Sequence, residues 1–120
     1  MSRITTHVLD ISNGAPARGV RIDLEQHSPG GWTPFAAAQT DADGRVLWPA
    51  WQGIALLEAG TRVPDGVYRL RFETGAYFED SKIETLYPFI EVVFTVAPAA
   101  SHYHIPLLLS PFGYSTYRGT

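Results

Sequence analysis

The sequence predicts an all-β fold, a sandwich of two sheets built from seven or eight strands with one short helix. Three observations support this prediction: apolar and polar residues alternate along several segments, turn-forming residues separate those segments, and one segment has helical spacing. The chain has no repeat or linker, and its 120 residues are enough for one domain spanning 1–120. A chain of this length buries roughly two thirds of its unfolded surface.

The strands are identified by alternation, since successive side chains of a strand point to opposite faces. In residues 20–25, Val20, Ile22 and Leu24 alternate with charged residues, and residues 68–73 and 90–96 repeat the pattern. Such alternation is typical of antiparallel strands with one buried face. Further strands are predicted at residues 4–10, 32–40, 103–109 and 113–118. The turn-forming sequences between segments are Asn13-Gly14, Pro29-Gly30-Gly31, Asp43-Gly44 and Asp65-Gly66.

One segment departs from the alternation. Between residues 75 and 87, the side chains of Phe78, Lys82, Ile83 and Leu86 recur at helical spacing. Pro88 follows directly, and the residue before a proline avoids the helical conformation, so a helix ends there. We therefore predict a single short helix over residues 75–87.

Composition excludes several classes of protein. The formal net charge is −3, and the chain has no cysteine, so neither a disulfide framework nor a thiolate zinc site can form. Eight arginines and one lysine form no basic patch in the sequence, which argues against nucleic acid as a partner. No stretch approaches the roughly 20 apolar residues of a membrane span, and the first residues do not look like a signal peptide. We expect a cytoplasmic protein that does not enter a membrane.

Two histidines near the end of the chain share one face of a strand. His102 and His104 are two residues apart and point the same way, whereas Tyr103 and the apolar residues at 105, 107 and 109 point to the core. The histidines then face solvent or a subunit interface. The simplest alternative is two solvated surface histidines. Pro106 lacks an N–H for the ladder, so we expect this strand to lie at a sheet edge or to contain a bulge.

A zinc site is a second interpretation of these histidines. Two imidazoles on one strand face, joined by His7 from residues 4–10, could bind zinc and leave one position open for water. The sequence does not constrain the distance from His7 to the pair, and no carboxylate lies within the motif. A lone histidine on a strand is more often structural than catalytic, so the residues alone leave the role of His7 open.

The segment Asp41-Ala42-Asp43-Gly44-Arg45 also has two interpretations. It resembles part of a calcium-binding loop, but such a loop needs a glutamate near its twelfth position and flanking helices. This chain has Gln52 there and strands on both sides. A tight turn through Asp43-Gly44 is therefore the better prediction.

Three separated segments together resemble a known family. They are Thr-Thr-His-Val-Leu-Asp at residues 5–10 followed by Gly-Ala-Pro-Ala at 14–17, Thr-Asp-Ala-Asp-Gly-Arg at 40–45, and the tail at 102–120. In this order they resemble the motifs of the 5-hydroxyisourate hydrolases, the transthyretin-related enzymes of purine breakdown. The family's tail ends Tyr-Arg-Gly-Ser, whereas this one ends Tyr-Arg-Gly-Thr, so Thr120 keeps the hydroxyl group and adds a methyl group.

The resemblance implies a transthyretin-like sandwich and a hydrolase of urate degradation. The family opens the ring of 5-hydroxyisourate at its N1–C6 amide and produces 2-oxo-4-hydroxy-4-carboxy-5-ureidoimidazoline, with no cofactor and no metal ion. It forms homotetramers, dimers of dimers, whose active sites lie where the dimers meet. The partners expected from the resemblance are therefore a small-molecule substrate and further copies of this chain.

Carried over to the matching positions, the resemblance also implies the site residues. The catalytic residues are His7, Arg45 and His104, and the substrate-binding residues are Tyr117, Arg118, Gly119 and Thr120. Imidazole has an ordinary pKa of about 6.5 and can act as base or acid near neutral pH. The planar, permanently charged guanidinium of Arg45 suits the oxyanion of a tetrahedral intermediate. Which histidine is the base, and what His102 does, stay open.

The main alternative is a non-catalytic transthyretin-like module that binds a small ligand or acts as a spacer. Such modules share the fold, but the family's active-site histidines and arginine are expected only in the hydrolases. A serine hydrolase is not expected, because Ser110 and Ser115 have no glycine-flanked nucleophile elbow around them.

Overall fold

The computed structural model describes residues 2–98 and 102–120. Within these residues the chain forms nine strands, two α-helices and one 3₁₀ turn at Trp48–Ala50. In chain order they are β1 (Arg3–Asp10), β2 (Ala15–Pro16), β3 (Arg21–Ser28), β4 (Gly31–Gln39), β5 (Arg45–Val46), α1 (Ile54–Glu58), β6 (Gly66–Phe72), α2 (Thr74–Asp80), β7 (Ile90–Val96), β8 (His102–Ser110) and β9 (Gly113–Thr116). In the described residues, no helix is long and apolar enough to cross a membrane.

The strands form two sheets, so the predicted sandwich is confirmed. The first sheet has the order β2-β1-β8-β9, with β5 also paired to β1, and the second has the order β4-β3-β6-β7. Most neighbours are antiparallel, but β1 and β8 run parallel, with Thr5 opposite His104 and His7 opposite Pro106. This parallel pair joins the two ends of the chain in the middle of the first sheet.

The core lies between the sheets and follows the alternation in the sequence. From the first sheet, Ile4, Val8, Leu107 and Leu109 are fully or almost fully buried. From the second sheet, the fully buried side chains include Ile22, Leu24, Tyr68, Leu70 and Phe72. Fully burying one such apolar side chain contributes roughly 1.5–3 kcal/mol to stability. The faces predicted for residues 20–25, 68–73 and 103–109 are therefore confirmed.

The predicted helix over residues 75–87 is too long. Helix α2 ends at Asp80, where the N–H of Lys82 bonds to Glu79 O and the N–H of Ile83 bonds to Phe78 O. These two bonds, with Lys82 at φ +56°, form a Schellman cap. Glycine is the usual residue at this position of the cap, so Lys82 gave no sequence signal that the helix ends at Asp80. Helix α1 was not predicted because its five residues are too short to show helical periodicity.

The expectation for Pro106 is also wrong. Strand β8 lies inside its sheet, between β1 and β9, and keeps one register from the Leu107–Thr116 pair to the bridge between His104 and Gly119. The carbonyl of Pro106 accepts a hydrogen bond from Thr116 Oγ1 at 2.8 Å and so faces the tail. The N and C=O of a strand residue face the same neighbouring strand, so the nitrogen of Pro106 also faces the tail. The hydrogen bonds between β8 and the tail are interrupted at this position, so the proline removes no bond from the ladder.

Candidate active site

One group of polar side chains covers the outer face of the first sheet. On β1, Ile4, Thr6 and Val8 are buried, so the odd-numbered Thr5 and His7 face outward. On β8, Tyr103 is buried, and His102 and His104 lie on the other face. The prediction that the two tail histidines share the face away from the core is confirmed.

The turn between β4 and β5 places Arg45 beside His7. One side-chain oxygen of Asp41 accepts hydrogen bonds from the N–H groups of Asp43 and Arg45, at 2.9 and 3.0 Å. The segment is thus the predicted tight turn, and the carboxylate of Asp41 is used inside it. In the sheet, Arg45 of β5 lies directly opposite His7 of β1.

This turn also packs closely on β1. Val8 N–H donates to Gly44 O at 2.7 Å. Gly44 has φ +74°, and a Cβ atom there would lie 2.4 Å from Val8 O, so only glycine fits. The backbone on both sides of Arg45 is therefore held against β1.

His7 has a defined tautomer. Its Nε2 lies 2.8 Å from the carbonyl oxygen of Asp43. A carbonyl can only accept, so Nε2 carries the hydrogen and donates it. In the neutral ring the lone pair then lies on Nδ1, and this is the nitrogen available to a substrate.

His104 is held on two sides. Its Nδ1 lies 2.8 Å from Thr5 Oγ1, and its carbonyl accepts a hydrogen bond from Gly119 N–H at 2.7 Å. A Cβ atom on Gly119 would lie 2.5 Å from His104 Cδ2, so the tail backbone packs directly against the imidazole. Within the described residues Nε2 has no hydrogen-bond partner, so it is the nitrogen open to chemistry.

The surroundings of His104 favour its neutral form. Partial burial is the main cause that lowers the pKa of His104 below its ordinary 6.5, and the positive charge of Arg45 adds to the effect. His102 and His7 lower the pKa further in the same direction. A neutral imidazole with an open nitrogen near neutral pH is suited to general-base catalysis.

The tail residues divide between the two faces. Gly119 lies against the ring of His104, as above. The guanidinium of Arg118 instead lies over the ring of Tyr103, at 4.4 Å, and Nη2 donates to His102 O at 3.4 Å. Because Tyr103 faces the core, Arg118 does not join the histidines in this chain. Tyr117 is largely exposed.

The three histidines do not assemble a zinc site. Each of the three imidazoles has one nitrogen in a hydrogen bond, Nε2 of His7, Nδ1 of His104 and Nε2 of His102, so only the opposite nitrogen of each ring is open to a ligand. In the part of the chain that the structure describes, no group of three or more His, Cys, Asp or Glu side chains is arranged to hold a metal ion.

Sequence reasoning missed two contributors, the hydroxyl of Thr5 and the carbonyl of Asp43. Alternation does place Thr5 on the same face as His7. Its contact with His104 depends on the register of β1 with β8, and the two residues are 99 positions apart. No local pattern contains that information.

The site lies on an open surface. A cavity of about 460 Å³ lies on the second sheet, where Arg21, Phe35, Ile54 and Arg71 are among its lining residues. That lining, which belongs to the described chain, includes no histidine, so this cavity does not mark the site. Arg45 and His102 are exposed, and a second surface is needed to enclose a substrate over them.

Comparison with known proteins finds relatives along almost the whole chain. Residues 4–119 match the model of the HIUase/Transthyretin family. The chain is 44% identical over 119 residues to a 5-hydroxyisourate hydrolase of Salmonella dublin, covering 98% of this chain and 80% of the relative. The structure of Klebsiella pneumoniae 5-hydroxyisourate hydrolase has a TM-score of 0.81 and 36% identity, with full coverage of both chains.

The fold matches a transthyretin equally well. Sea bream transthyretin in complex with thyroxine has a TM-score of 0.82 and 33% identity, covering 98% of this chain and 95% of that one. Backbone similarity therefore does not separate a 5-hydroxyisourate hydrolase from a transthyretin that binds thyroxine, and the side chains must do so. The match over almost the full length shows that the chain belongs to the HIUase/Transthyretin family.

Proposed function

We propose that the protein hydrolyses 5-hydroxyisourate to 2-oxo-4-hydroxy-4-carboxy-5-ureidoimidazoline in urate degradation. The observation that carries the proposal is the grouping of His7, Arg45 and His104 on one outer face, with an open nitrogen on His104. The hydrolase names of the relatives that are 41–44% identical support the same activity.

In the proposed reaction, neutral His104 acts as the general base. Its Nε2 takes a proton from water, and the water oxygen forms a bond to C6 of the substrate. Arg45 stabilises the oxyanion of the tetrahedral intermediate. The C6–N1 bond then breaks, and the protonated His104 returns the proton to N1. His7 orients the substrate by accepting a hydrogen bond from a ring N–H at Nδ1.

The tail completes the proposed site. We assign residues 117–120 to substrate binding, with Gly119 next to His104 and Thr120 following it. The hydroxyl of Thr120 is a polar group that a substrate can contact. Arg118 contributes by packing on the ring of Tyr103, which holds the tail in place. Tyr117 is exposed, so a second subunit placed over the site could contact it.

We further propose a homotetramer, a dimer of dimers. The site lies on an open face, and β9 is paired only with β8 among the described strands. An exposed edge strand is a template for pairing with another chain. A second dimer placed over the histidine face would enclose the substrate. The cytoplasmic location stays a prediction, which cell fractionation would test.

The first test is the decay of freshly generated 5-hydroxyisourate, made from urate with urate oxidase and followed by its ultraviolet absorbance. We expect decay much faster than the spontaneous rate, and the same rate in EDTA, because water activation by imidazole needs no metal ion. Decay at the spontaneous rate would instead favour a small-ligand-binding module.

Two variants test the assignment of the base. His104→Asn should lower kcat/KM by about 10²–10⁴-fold, the usual contribution of a general base. His27→Asn is the matched control, because His27 lies on β3 of the second sheet beside Trp32. Near wild-type activity in His104→Asn, or equal losses in both variants, would contradict the assignment.

A further inference from the structure

The hydroxyl group of Thr5 lies between two imidazoles. Thr5 Oγ1 is 2.8 Å from Nδ1 of His104 and 3.0 Å from Nε2 of His102. The two rings are stacked at an angle of 27°, with centroids 6.5 Å apart. One oxygen atom therefore joins the proposed base to an exposed second histidine, to which no role has been given.

Counting hydrogens limits the states of this group. A hydroxyl has one hydrogen, and a neutral imidazole has one donor nitrogen and one acceptor nitrogen. Oγ1 can donate to one ring only and must accept from the other. If it donates to His102, Nδ1 of His104 carries a hydrogen and Nε2 keeps its lone pair, which is the form that acts as a base. If it donates to His104, Nε2 of that ring carries the hydrogen and cannot act as a base.

We propose that Thr5 is a positioning residue whose hydroxyl group fixes the orientation of His104 and couples its tautomer to the protonation of His102. The catalytic part of this inference rests on the proposed hydrolase function. When His102 gains a proton at Nε2, that nitrogen donates to Oγ1. The hydroxyl hydrogen turns to Nδ1 of His104, and the hydrogen of His104 moves to Nε2.

The same contacts form a proton relay. As Nε2 of His104 takes a proton from water, Nδ1–H passes its proton to Oγ1, and Oγ1 passes its own to Nε2 of His102. His104 and Thr5 each gain and lose one proton, so the positive charge finishes on His102. Return of the protons along the same path leaves one for the leaving nitrogen of the substrate.

The surroundings of the two rings favour this direction of charge movement. His104 is partly buried and faces the positive charge of Arg45, so its own cation is disfavoured. His102 is exposed and can be hydrated. The other charged or titratable groups on the adjoining elements are Arg3, His7 and the buried Asp10 on β1, Tyr114 on β9, and Tyr117 and Arg118 in the tail.

The kinetic test uses a substitution that keeps the shape of Thr5. Thr5→Val replaces the hydroxyl with a methyl group of similar size, and we expect kcat to fall by about 10²-fold with KM changed by less than about twofold. Thr5→Ser should restore most of the activity. The control is Thr6→Val, because Thr6 donates to Ile105 O on the core side and its loss should lower the melting temperature without this kinetic effect.

A spectroscopic test does not depend on substrate. In ¹⁵N NMR of the imidazoles, we expect His104 to carry its hydrogen on Nδ1 near neutral pH and to shift it to Nε2 as His102 is protonated. Thr5→Val and His102→Gln should both abolish that shift. An inactive wild-type protein that shows the shift would refute the hydrolase proposal alone. If the wild-type protein is active and Thr5→Val changes neither its kcat nor the tautomer of His104, the proposed role of Thr5 is wrong.

Discussion

At the scale of single residues, the charge of Arg45 reaches His104 although the two belong to different strands. Arg45 lies opposite His7 on one side of β1, and His104 lies opposite Thr5 on the other side. Neighbouring strands are about 4.8 Å apart, so a charge on one side of β1 acts on a ring on the other. This charge is the second cause that lowers the pKa of His104, after partial burial.

Removing the charge of Arg45 should therefore raise the pKa of His104. In Arg45→Gln the imidazolium loses a repulsive neighbour, so the pKa moves up towards 6.5, while burial still holds it below that value. The acid limb of the pH dependence of kcat/KM should move to higher pH. NMR titration of His104 measures the shift directly, even where activity is low.

Arg45→Lys is the matched control, since it keeps the positive charge but loses the planar, bidentate group. We expect the titration of His104 to stay near that of the wild type in this variant, although activity falls. If His104 has the same pKa in Arg45→Gln and Arg45→Lys, the charge of Arg45 does not set that pKa.

At the scale of elements, the tail packs against His104 of β8 and holds it in place. Gly119 N–H bonds to His104 O, and the absence of a side chain lets the tail backbone touch the ring. Thr116 Oγ1 donates to Pro106 O, which continues the contact where proline interrupts the ladder. The tail can therefore affect catalysis through the position of the ring as well as through substrate contacts.

Gly119→Ala should displace the imidazole. The new methyl group would lie 2.5 Å from His104 Cδ2, so either the ring or the tail must move. A displacement of about 1 Å in a catalytic group can cost about 10²-fold in rate, and we expect a loss of that order in kcat. Gly113→Ala is the control, because its nearest neighbour is Ser110 Oγ at an ordinary 3.8 Å. Unchanged kcat in Gly119→Ala would show that this contact does not position the base.

At the scale of the whole molecule, one chain leaves its site open. His102 and Arg45 are exposed on the outer face of the first sheet, and β9 carries exposed Tyr114 and Ser115 along its edge. Catalysis by preorganised charges is strongest where water is excluded, and a single chain does not exclude it here. Assembly is thus part of the proposed mechanism.

Light scattering should give a mass close to four times 13.2 kDa. Ser115→Lys places a charge on the edge of β9, where lysine discourages strand pairing, and should lower both the mass and kcat/KM. Gln39→Lys is the control on β4, the edge of the other sheet. A monomeric wild-type protein with full activity would contradict the proposed tetramer.

Most strands and their buried faces could be predicted from the sequence, but the pairing between distant strands could not. Alternation located β3, β6, β7 and β8 and sorted core from surface, and the Asp43-Gly44 turn was expected beside Arg45. The length of α2 was not readable, because a lysine takes the place of the usual glycine in its cap.

The sequence by itself determined most of the strands, their faces and the sandwich class, and family resemblance added a set of predicted site residues. Period-two alternation is a local property, so it assigns a face to each residue without reference to the rest of the chain. Only the tertiary structure decided that β1 and β8 pair in parallel, which puts Thr5 between His102 and His104. Register between distant strands depends on the packing of the complete core, and that information lies in no single segment.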